Sequence, residues 1–525
     1  MISSFCTIAT YTCFKELIGW LLSLSIHHTN ERVYCMVDSK TKSEIDKISP
    51  KIKLDIIWFI DLNKYTGLNR SQMESKHIWS EFQMMKAEVI RKSLEQSSNT
   101  LFLDSDILIT GRMSVDNNYE LAVSPHYISR KSTDRYGYYN GGMLWTRMKC
   151  LPDKWIKYTK TSRFHDQASI EDLVKDYKYY EFGENYNFSW WRLEQSDESE
   201  SKIANYLKVN ENKITYKEKE LKFIHTHFDR KNFSNFNNLM INTLMKARRF
   251  KELLCIRRML DNKWTIQIPT QPRNGKYNHI NDSFRELVYL FKGDVCVENI
   301  NNNHCWIKGG VVLYDRPTLL WYEKELDNVP KILMGNGSKE EINKINASPW
   351  IFWARKPKIL EEFLNNNKLL SWNERNIKSI FIGNIECSQQ KKHRNNNWND
   401  VIEKFILTQG NKHKYSHKEY LTEISKAQFG LCLAGYGLKC HREIELMALG
   451  TVPIIYNSSI EYMNKLIENV HYIKINSKEE LITKLENIKE EQWEFMSNEC
   501  NKWYMKNCHS SSAFTETLNK LLYYI

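Results

Sequence analysis

The chain lacks a hydrophobic run long enough to cross a membrane. The longest apolar run near its start, LIGWLLSLSI from Leu17 to Ile26, is half the ~20 residues that a membrane-spanning helix needs. No basic segment and no cleavage site accompany it, so a signal peptide is not expected. These absences predict a protein without an integral membrane segment that works in the cytoplasm, or in the host cytoplasm if the chain is viral.

Paired cysteine motifs and dense basic tracts are missing as well. The 12 cysteines are scattered without a CxxC pair, which favours reduced thiols over a disulfide framework. No tract of lysine and arginine with interleaved aromatics stands out, so nucleic acid is not an expected partner. The net charge of +12 instead suits an anionic ligand such as a nucleotide or a sugar phosphate.

The length and patterning of the chain indicate more than one α/β domain. A chain of 525 residues is too long for one ordinary core. In its first quarter, strand-like runs such as SFCTIAT, RVYCMVDS, DIIWFIDL and NTLFLDSD alternate with helical segments, which predicts a mostly parallel sheet. A basic helical stretch from Leu239 to Leu260 precedes a second set of short strands. We therefore place one domain at 1–262 and another at 263–525, with a weaker division of the second into 263–375 and 376–525.

The stretch LFLDSDILIT places Asp104 and Asp106 at the carboxyl end of a buried strand. Open α/β sheets bind ligands at that end, and two carboxylates in this spacing can chelate a divalent cation that bridges a diphosphate. An ordinary strand-end turn is one alternative. A haloacid-dehalogenase phosphatase, with Asp104 as nucleophile, is another. Such enzymes usually carry this motif on their first strand, with Thr or Val where this chain has Leu108.

Three further motifs follow in order: YYNGGMLW from Tyr138, FHDQASI with Asp166 and Gln167, and FIHTHFDRKNF with His225 and Lys231. With these motifs, residues 1–240 resemble the GT-A glycosyltransferases of glycosyltransferase family 8, the glycogenin and lipopolysaccharide-galactosyltransferase type. The resemblance implies a GT-A fold that transfers a sugar from a UDP-sugar with retention of anomeric configuration. Asn232 departs from the family pattern, which has Pro there.

The resemblance also implies the roles of individual residues. For the donor nucleotide, it implies that Ala9, Thr10 and Tyr11 hold uracil and ribose and that Lys231 holds the diphosphate. For the donor sugar, it implies that Asn140 and Gly141 shape the pocket and that Asp166 and Gln167 lie near the anomeric carbon. Lys86 would also contact the donor. The metal, Mn²⁺ or Mg²⁺, would be held by Asp104, Asp106 and His225. His227 is a rival ligand, because it would share a strand face with His225. Structural roles stay open for several of these, such as a solvated helix lysine for Lys86 or a helix N-cap for Asp166.

The second half contains FGLCLAGYGLKCHREIELMALGTVPIIYN, from Phe429 to Asn457. A strand, a turn and a helix in this order can place a diphosphate at a helix N-terminus. The stretch resembles the donor-binding half of exostosin-like GT-B glycosyltransferases, although Met447 replaces a small residue. The resemblance implies a Rossmann-like module in which Lys439 and Arg442 contact phosphate and Glu445 accepts from ribose. A generic Rossmann unit is the alternative.

Taken together, these motifs predict a bifunctional glycosyltransferase. A metal-dependent first domain and a metal-independent second domain would add sugars to a glycan, glycoprotein or glycolipid acceptor. The alternatives are a single active GT-A transferase with a C-terminal binding domain, a nucleotide-transferring relative, a carbohydrate-binding protein without turnover, and the phosphatase.

Overall fold

The structure is a computed structural model, and its described residues form two compact units that divide between Trp264 and Thr265. It describes residues 2–47, 52, 54–197, 199–261, 263–270, 282–291, 295–301, 304–314, 326, 329–333, 343, 347–349, 353–384, 398–408, 415–434, 440–456, 462 and 464–516. None of the helices in this part of the chain has the length and apolar character that a bilayer crossing requires.

Strands and helices alternate in the first unit as far as Leu103, after which several strands follow one another directly. Its strands are β1 (Ser4–Ala9), β2 (Arg32–Val37), β3 (Ile56–Phe59), β4 (Thr100–Leu103), β5 (Ile107–Ile109), β6 (Leu121–Pro125), β7 (Tyr139–Thr146), β8 (Tyr179–Glu181), β9 (Phe188–Ser189), β10 (Leu207–Asn210), β11 (Lys213–Tyr216), β12 (Lys219–Glu220) and β13 (Phe223–His225). Its helices are α1 (Phe14–His27), α2 (Ser39–Asp46), α3 (Arg70–Ser75), α4 (Trp79–Gln96), α5 (Arg130–Tyr136), α6 (Leu151–Thr159), α7 (His165–Ala168), α8 (Ile170–Asp176), α9 (Trp191–Glu194), α10 (Glu200–Tyr206), α11 (Ser234–Lys246) and α12 (Phe250–Asp261). Short 3₁₀ helices cover Tyr11–Cys13, Asn63–Tyr65 and Lys231–Phe233.

A seven-stranded sheet in the order β3-β2-β1-β4-β7-β6-β8 forms the centre of the first unit. Strands β3, β2, β1 and β4 run parallel, whereas β7 is antiparallel to both β4 and β6. The chain leaves β1 toward β2 and β3 and then returns to add β4 on the other side of β1. The direction of winding therefore reverses between β1 and β4, and a crevice opens at the carboxyl ends of this pair.

Continuous apolar runs explain why the central strands form. All residues of β1, β4 and β7 are buried, as expected for strands that are covered on both faces. Helix α4 packs against β1 and β4 through its apolar face, which includes Ala87, Val89, Ile90 and Leu94. Each large aliphatic side chain buried in this way contributes about 1.5–3 kcal/mol.

A second sheet has three strands in the order β5-β13-β9. Its strand β5 follows the crevice strand β4 directly in the sequence. Strand β13 runs antiparallel to β5, with His225 opposite Ile107, and parallel to β9, with His225 opposite Ser189. This pairing brings the start of β5, next to Asp106, to the same level as the end of β13.

The basic stretch from Leu239 to Leu260, predicted as one helix, is divided between two. Helix α11 ends at Lys246 and α12 begins at Phe250. The break lies at Arg248, whose φ of 55° is left-handed and incompatible with a continuous α-helix.

The second unit contains two sheets. Its strands are β14 (Trp264–Pro269), which begins at the division, β15 (Val295–Ile300), β16 (Cys305–Ile307), β17 (Val311–Tyr314), β18 (Lys331–Leu333), β19 (Ala347–Pro349), β20 (Ile377–Gly383), β21 (Lys404–Leu407), β22 (Ala427–Cys432), β23 (Val452–Tyr456) and β24 (Ile473–Ile475). Its helices are α13 (Asp282–Leu290), α14 (Pro357–Asn366), α15 (His417–Ser425), α16 (His441–Ala448), α17 (Glu479–Asn487) and α18 (Glu490–Asn507), with a 3₁₀ helix at Trp372–Glu374.

The two sheets of the second unit differ in strand direction. The first, β15-β14-β16-β17-β18-β19, is mixed, because β16 is antiparallel to β14 and β17 while β17, β18 and β19 run parallel. The second, β21-β20-β22-β23-β24, is parallel throughout. In this second sheet the winding direction reverses between β20 and β22, so a ligand crevice is expected at their carboxyl ends.

Candidate metal centre

A cavity of about 670 Å³ opens at the crevice between β1 and β4 in the first unit. The ends of both strands line it, with Ala9 at the end of β1, Thr10 after it, and Asp104 to Asp106 after β4. The cavity therefore lies where the strand order predicts a ligand site.

The turn between β4 and β5 positions the two carboxylates. The backbone N–H of Asp104 donates to the carbonyl of Gly142 at 2.8 Å, and the backbone N–H of Thr226 donates to the carbonyl of Asp106 at 3.2 Å. These bonds tie the turn to β7 on one side and to the end of β13 on the other. Ligand atoms of Asp104, Asp106 and His225 all lie within 4.8 Å of one another, and this group could hold a metal ion.

His225 and His227 approach Asp106 from different directions. His225 Nε2 lies 3.1 Å from Asp106 Oδ1, and His227 Nε2 lies 3.5 Å from Asp106 Oδ2. His227 also contacts Glu16, with 2.5 Å between Nδ1 and Oε1. Of the two histidines left as rivals by the sequence, His225 belongs to the three-residue group and His227 lies outside it.

The two aspartates experience opposite electrostatic effects. Burial raises the pKa of Asp104, although the neighbouring Lys86 acts in the opposite sense. Burial would raise the pKa of Asp106 too, but His225 and His227 outweigh it and hold that pKa well below its usual range. Asp106 is thus a carboxylate stabilised in its charged form, as a metal ligand must be.

Lys86, predicted to contact the donor, forms ion pairs in this structure with two acids of the site. Its Nζ lies 3.1 Å from Asp104 Oδ1 and 3.0 Å from Asp166 Oδ2, and donates to the carbonyl of Gly141 at 3.2 Å. Burial would lower the pKa of Lys86, but the two carboxylates raise it above its usual value. The solvated-lysine alternative is wrong, because the side chain is buried.

Gly141 and Gly142 allow β7 to pass directly against the acids. A Cβ added at Gly142 would lie 2.5 Å from Asp104 Oδ2 and 2.6 Å from His225 Cε1, and one added at Gly141 would lie 2.3 Å from Asp166 Oδ2. Any larger residue would displace these groups. The NGG segment is therefore required by close approach of the strand to the site.

Asp166 and Gln167 lie in the short helix α7 and line the cavity. Asp166 Oδ1 accepts from Gln83 Nε2 at 2.7 Å, so both of its oxygens face other site residues. Asn140 lines the cavity as well, and its amide contacts Gln167, His126, Asn187 and the backbone of Gly142.

Not all the residues expected to contact the nucleotide line the cavity. Tyr11 and Lys231 are not among the residues that line it, whereas Arg230 is. The backbone N–H of Tyr11 donates to Asp38 at 2.7 Å, and the Lys40 ammonium lies 3.7 Å from the centre of its ring. Lys231 is exposed at the start of its 3₁₀ helix.

Aromatic side chains cover one part of the cavity wall. Trp190 and Trp191 both line it. Trp190 stacks on Phe233, with 4.3 Å between ring centres, and Trp191 packs edge-on against His225 at 4.9 Å. The two tryptophans therefore support the site residues and present aromatic surface to a ligand.

Four polar residues of the site belong to no motif in the sequence: Glu16, Gln83, His126 and Asn187. Of these four, only Glu16 and His126 could have been recognised as candidate site residues from the sequence. Glu16 is an acid at the start of a mostly apolar helix, and His126 ends the buried run that includes β6. Buried polar groups of this kind need a partner. Gln83 looks like any polar residue of an amphipathic helix, and Asn187 like any loop residue.

The second unit places Arg442 and Glu445 on α16. Arg442 Nη2 donates to the carbonyl of Ile382 at 2.8 Å, which puts the guanidinium at the carboxyl end of β20. Burial raises the pKa of Glu445 to about 7, and its Oε1 accepts from the backbone N–H of Arg355 at 3.0 Å. Lys439, the third residue predicted here, lies outside the described residues.

Comparison with known proteins gives only distant likenesses. No protein-family model matches the chain, and no curated protein matches it. The galactosyltransferase LgtC in complex with donor and acceptor sugar analogs is 13% identical with a TM-score of 0.34, over 49% of this chain and 95% of that chain. The glycosyltransferase GlyE of Streptococcus pneumoniae TIGR4 is 10% identical with a TM-score of 0.30, over 93% of this chain and 98% of that chain. Likeness of this degree assigns neither family nor activity, so both rest on the residues of the site.

Proposed function

We propose that the first unit is a metal-dependent GT-A glycosyltransferase of the family 8 type, which transfers a sugar from a UDP-sugar with retention of configuration. The observation that carries this proposal is the group formed by Asp104, Asp106 and His225 at the cavity between β1 and β4. Acids at a strand-end crevice serve a metal–nucleotide complex in this position.

The donor set suits a divalent cation. Carboxylate oxygens are ligands that both Mg²⁺ and Mn²⁺ accept, and the imidazole of His225 shifts the preference toward the transition-metal ion. When bound, the cation would neutralise charge that develops on the leaving nucleoside diphosphate. Mn²⁺ is therefore the expected ion, with Mg²⁺ as the weaker substitute.

The charges around the cavity support a diphosphate ligand. Arg70, Arg135 and Arg230 all line it, and guanidinium groups pair well with phosphate oxygens. Ala9 and Thr10 lie at the carboxyl end of β1, next to the space available for a nucleoside. Lys86, expected to contact the donor, is paired with Asp104 and Asp166 and lines the cavity beside them.

The acceptor end of the site is assigned to the aromatic wall. Trp190, Trp191, Tyr136 and Phe164 line the cavity together with Asp166 and Gln167. Sugars commonly stack their apolar faces on such rings, so a glycan, glycoprotein or glycolipid acceptor fits this wall.

A panel of UDP-sugars incubated with the protein and Mn²⁺ tests the proposal. We expect Mn²⁺-dependent release of UDP from at least one sugar donor, and this part of the release should stop when EDTA removes the metal. Release of pyrophosphate instead would indicate a nucleotide-transferring enzyme, and hydrolysis of aryl phosphates a phosphatase. Binding of a UDP-sugar without any turnover would identify a carbohydrate-binding protein, and each of these outcomes contradicts the proposal.

A second activity is proposed for the second unit, a metal-independent GT-B-like sugar transfer. The observation that favours it is the Arg442 guanidinium at the β20 end of the crevice between β20 and β22. Its Nε and Nη1 are buried and have no hydrogen-bond partner among the described residues. Buried N–H groups left unpaired cost free energy, and an anion in the crevice would pair with them. With both units active, the protein is bifunctional.

Arg442→Met is expected to lower this second activity by at least about a hundredfold, because a charged donor to the diphosphate is lost. The measurement is UDP-sugar turnover in the presence of EDTA. Lys418→Met, which removes an exposed cation on α15, is the matched control and should leave turnover unchanged. Equal turnover of the Arg442 variant and the control would contradict the assignment.

A further inference from the structure

A chain of hydrogen bonds between buried side chains ends on His225. It runs from His126 to Asn140, with 3.0 Å between Nε2 and Nδ2, and from Asn140 to Asn187, with 3.0 Å between Oδ1 and Nδ2. It continues from Asn187 Oδ1 to His225 Nδ1 at 2.9 Å. These four side chains are at most 5% exposed, so solvent does not compete for their bonds.

The first end of the chain is fixed by a backbone carbonyl. His126 Nδ1 lies 3.0 Å from the carbonyl oxygen of Gly137. A carbonyl only accepts, so Nδ1 carries the proton and donates. Burial lowers the pKa of His126 to about 4, so the ring is neutral and its Nε2 accepts from Asn140.

The middle of the chain is fixed by a backbone N–H. Gly142 N–H donates to Asn140 Oδ1 at 2.9 Å. The amide of Asn140 therefore directs its oxygen toward Gly142 and Asn187 and its nitrogen toward His126. If the amide were flipped, its nitrogen would face the Gly142 N–H and its oxygen would face the accepting Nε2 of His126, so both bonds would be lost. Asn187 must then donate from Nδ2 to Asn140, which leaves its Oδ1 to accept from His225.

The donor and acceptor roles along this chain of bonds determine which ring nitrogen of His225 is available as a ligand. Asn187 Oδ1 only accepts, so His225 Nδ1 carries the proton of that bond. Nε2 is then the nitrogen left for a cation, which would replace its contact with Asp106. Nε2 is the nitrogen that lies 3.1 Å from Asp106 Oδ1. The edge-on packing of Trp191 against both His126 and His225 restricts rotation of the two rings.

We propose that His126, Asn140 and Asn187 are positioning residues that hold His225 in the tautomer required for metal binding through Nε2. The inference rests on the proposed metal role of His225. Hydrogen-bond partners of a ligating histidine orient the ring and set its tautomer, and losing such a partner typically lowers metal affinity about 10–100-fold.

The tautomer is measurable without metal. Nitrogen-15 NMR of the histidine side chains, at mildly alkaline pH in metal-free protein, should show His225 protonated at Nδ1. Predominance of the Nε2–H tautomer would overturn the proposal. Because no metal is present, this result is independent of whether the protein binds Mn²⁺ or transfers sugar.

Metal affinity provides a second measurement, by calorimetric titration of Mn²⁺. Asn187→Leu is expected to weaken binding about 10–100-fold and to leave His225 in a mixture of tautomers. Asn185→Leu is the matched control: Asn185 is also buried and loses one bond to the Glu220 carbonyl, but it lies outside the chain of bonds. Equal weakening in both variants would show a general structural effect and reject the proposal.

A pair of variants at His126 serves if Asn187→Leu does not fold. His126→Phe removes the acceptor for Asn140 and should weaken Mn²⁺ binding. In His126→Gln, the amide can still donate to Gly137 and accept from Asn140, so affinity should return toward the wild-type value. If the two variants bind Mn²⁺ equally, the proposal is wrong. If wild-type protein binds no Mn²⁺, the proposed metal centre fails, and the NMR result alone decides the tautomer.

Discussion

Asparagine in place of Asp106 is expected to eliminate Mn²⁺ binding and to lower the Mn²⁺-dependent turnover of the UDP-sugar by at least about a hundredfold, since a metal in such a site contributes several kcal/mol. The amide has the shape of the carboxylate but not its charge. The backbone carbonyl of Asp106, which accepts from Thr226, is unaffected by the change. The loss should therefore appear in metal titration and UDP release while the circular dichroism spectrum stays that of the wild type.

Asp172→Asn is the control for this variant. Asp172 is an exposed acid whose carboxylate pairs with Lys175 on the surface, and such pairs contribute little. Its variant should bind Mn²⁺ and release UDP as the wild type does. Unchanged Mn²⁺ affinity in the Asp106 variant would remove the basis for the metal centre. The second, EDTA-resistant activity should persist in that variant, because it is assigned to a different unit.

Replacing Arg375 by methionine is expected to destabilise the second unit by about 3–5 kcal/mol. The Arg375 guanidinium donates to four backbone carbonyls and one hydroxyl, those of Leu370, Ser425, Ala427 and Leu449 and the side chain of Thr451. Burial lowers its pKa to about 10, so it remains charged near neutral pH. Methionine would fill most of the volume and leave the buried carbonyls unpaired.

Hydrogen exchange of the amides in β20 and β22 measures this effect locally, which suits a chain with two units. Arg285→Met is a graded control, because within the described residues Arg285 donates to one carbonyl, that of Pro269, and its loss should cost about 1 kcal/mol. If Arg375→Met accelerates exchange no more than Arg285→Met does, the bonds of Arg375 contribute little to stability.

Apolar runs were sufficient to predict the α/β alternation, and the structure confirms a mixed α/β chain. The segments SFCTIAT and NTLFLDSD contain β1 and β4, because buried parallel strands are continuous apolar runs. Apolar runs do not indicate the direction of a strand in its sheet. Nothing in the run Tyr139–Thr146 distinguishes the antiparallel β7 from a parallel strand, so the mixed character of the central sheet was not predictable.

The metal group was predictable in composition but not in geometry. The spacing of Asp104 and Asp106 in the sequence identifies a chelating pair, whereas the choice between His225 and His227 depends on contacts with Glu16 and Asn187. Those contacts join residues that are distant in sequence. The contact with Asn187 depends on pairing of β13 with β9, and Glu16 reaches His227 from α1, which packs against β5. The break between α11 and α12 at Arg248 was not predictable either, because the helical pattern of the basic stretch does not reveal it.

The pairing of β5 with β13 also determines when the site can first exist. Both aspartates precede β5, but their partner His225 is at the far end of the unit and reaches them only when β13 pairs with β5. A growing polypeptide that had not yet reached Phe223 would contain the acids without the histidine. Under the proposed function, capture of the ion during synthesis would therefore follow folding of nearly the whole first unit, and the metal would be loaded onto a finished site.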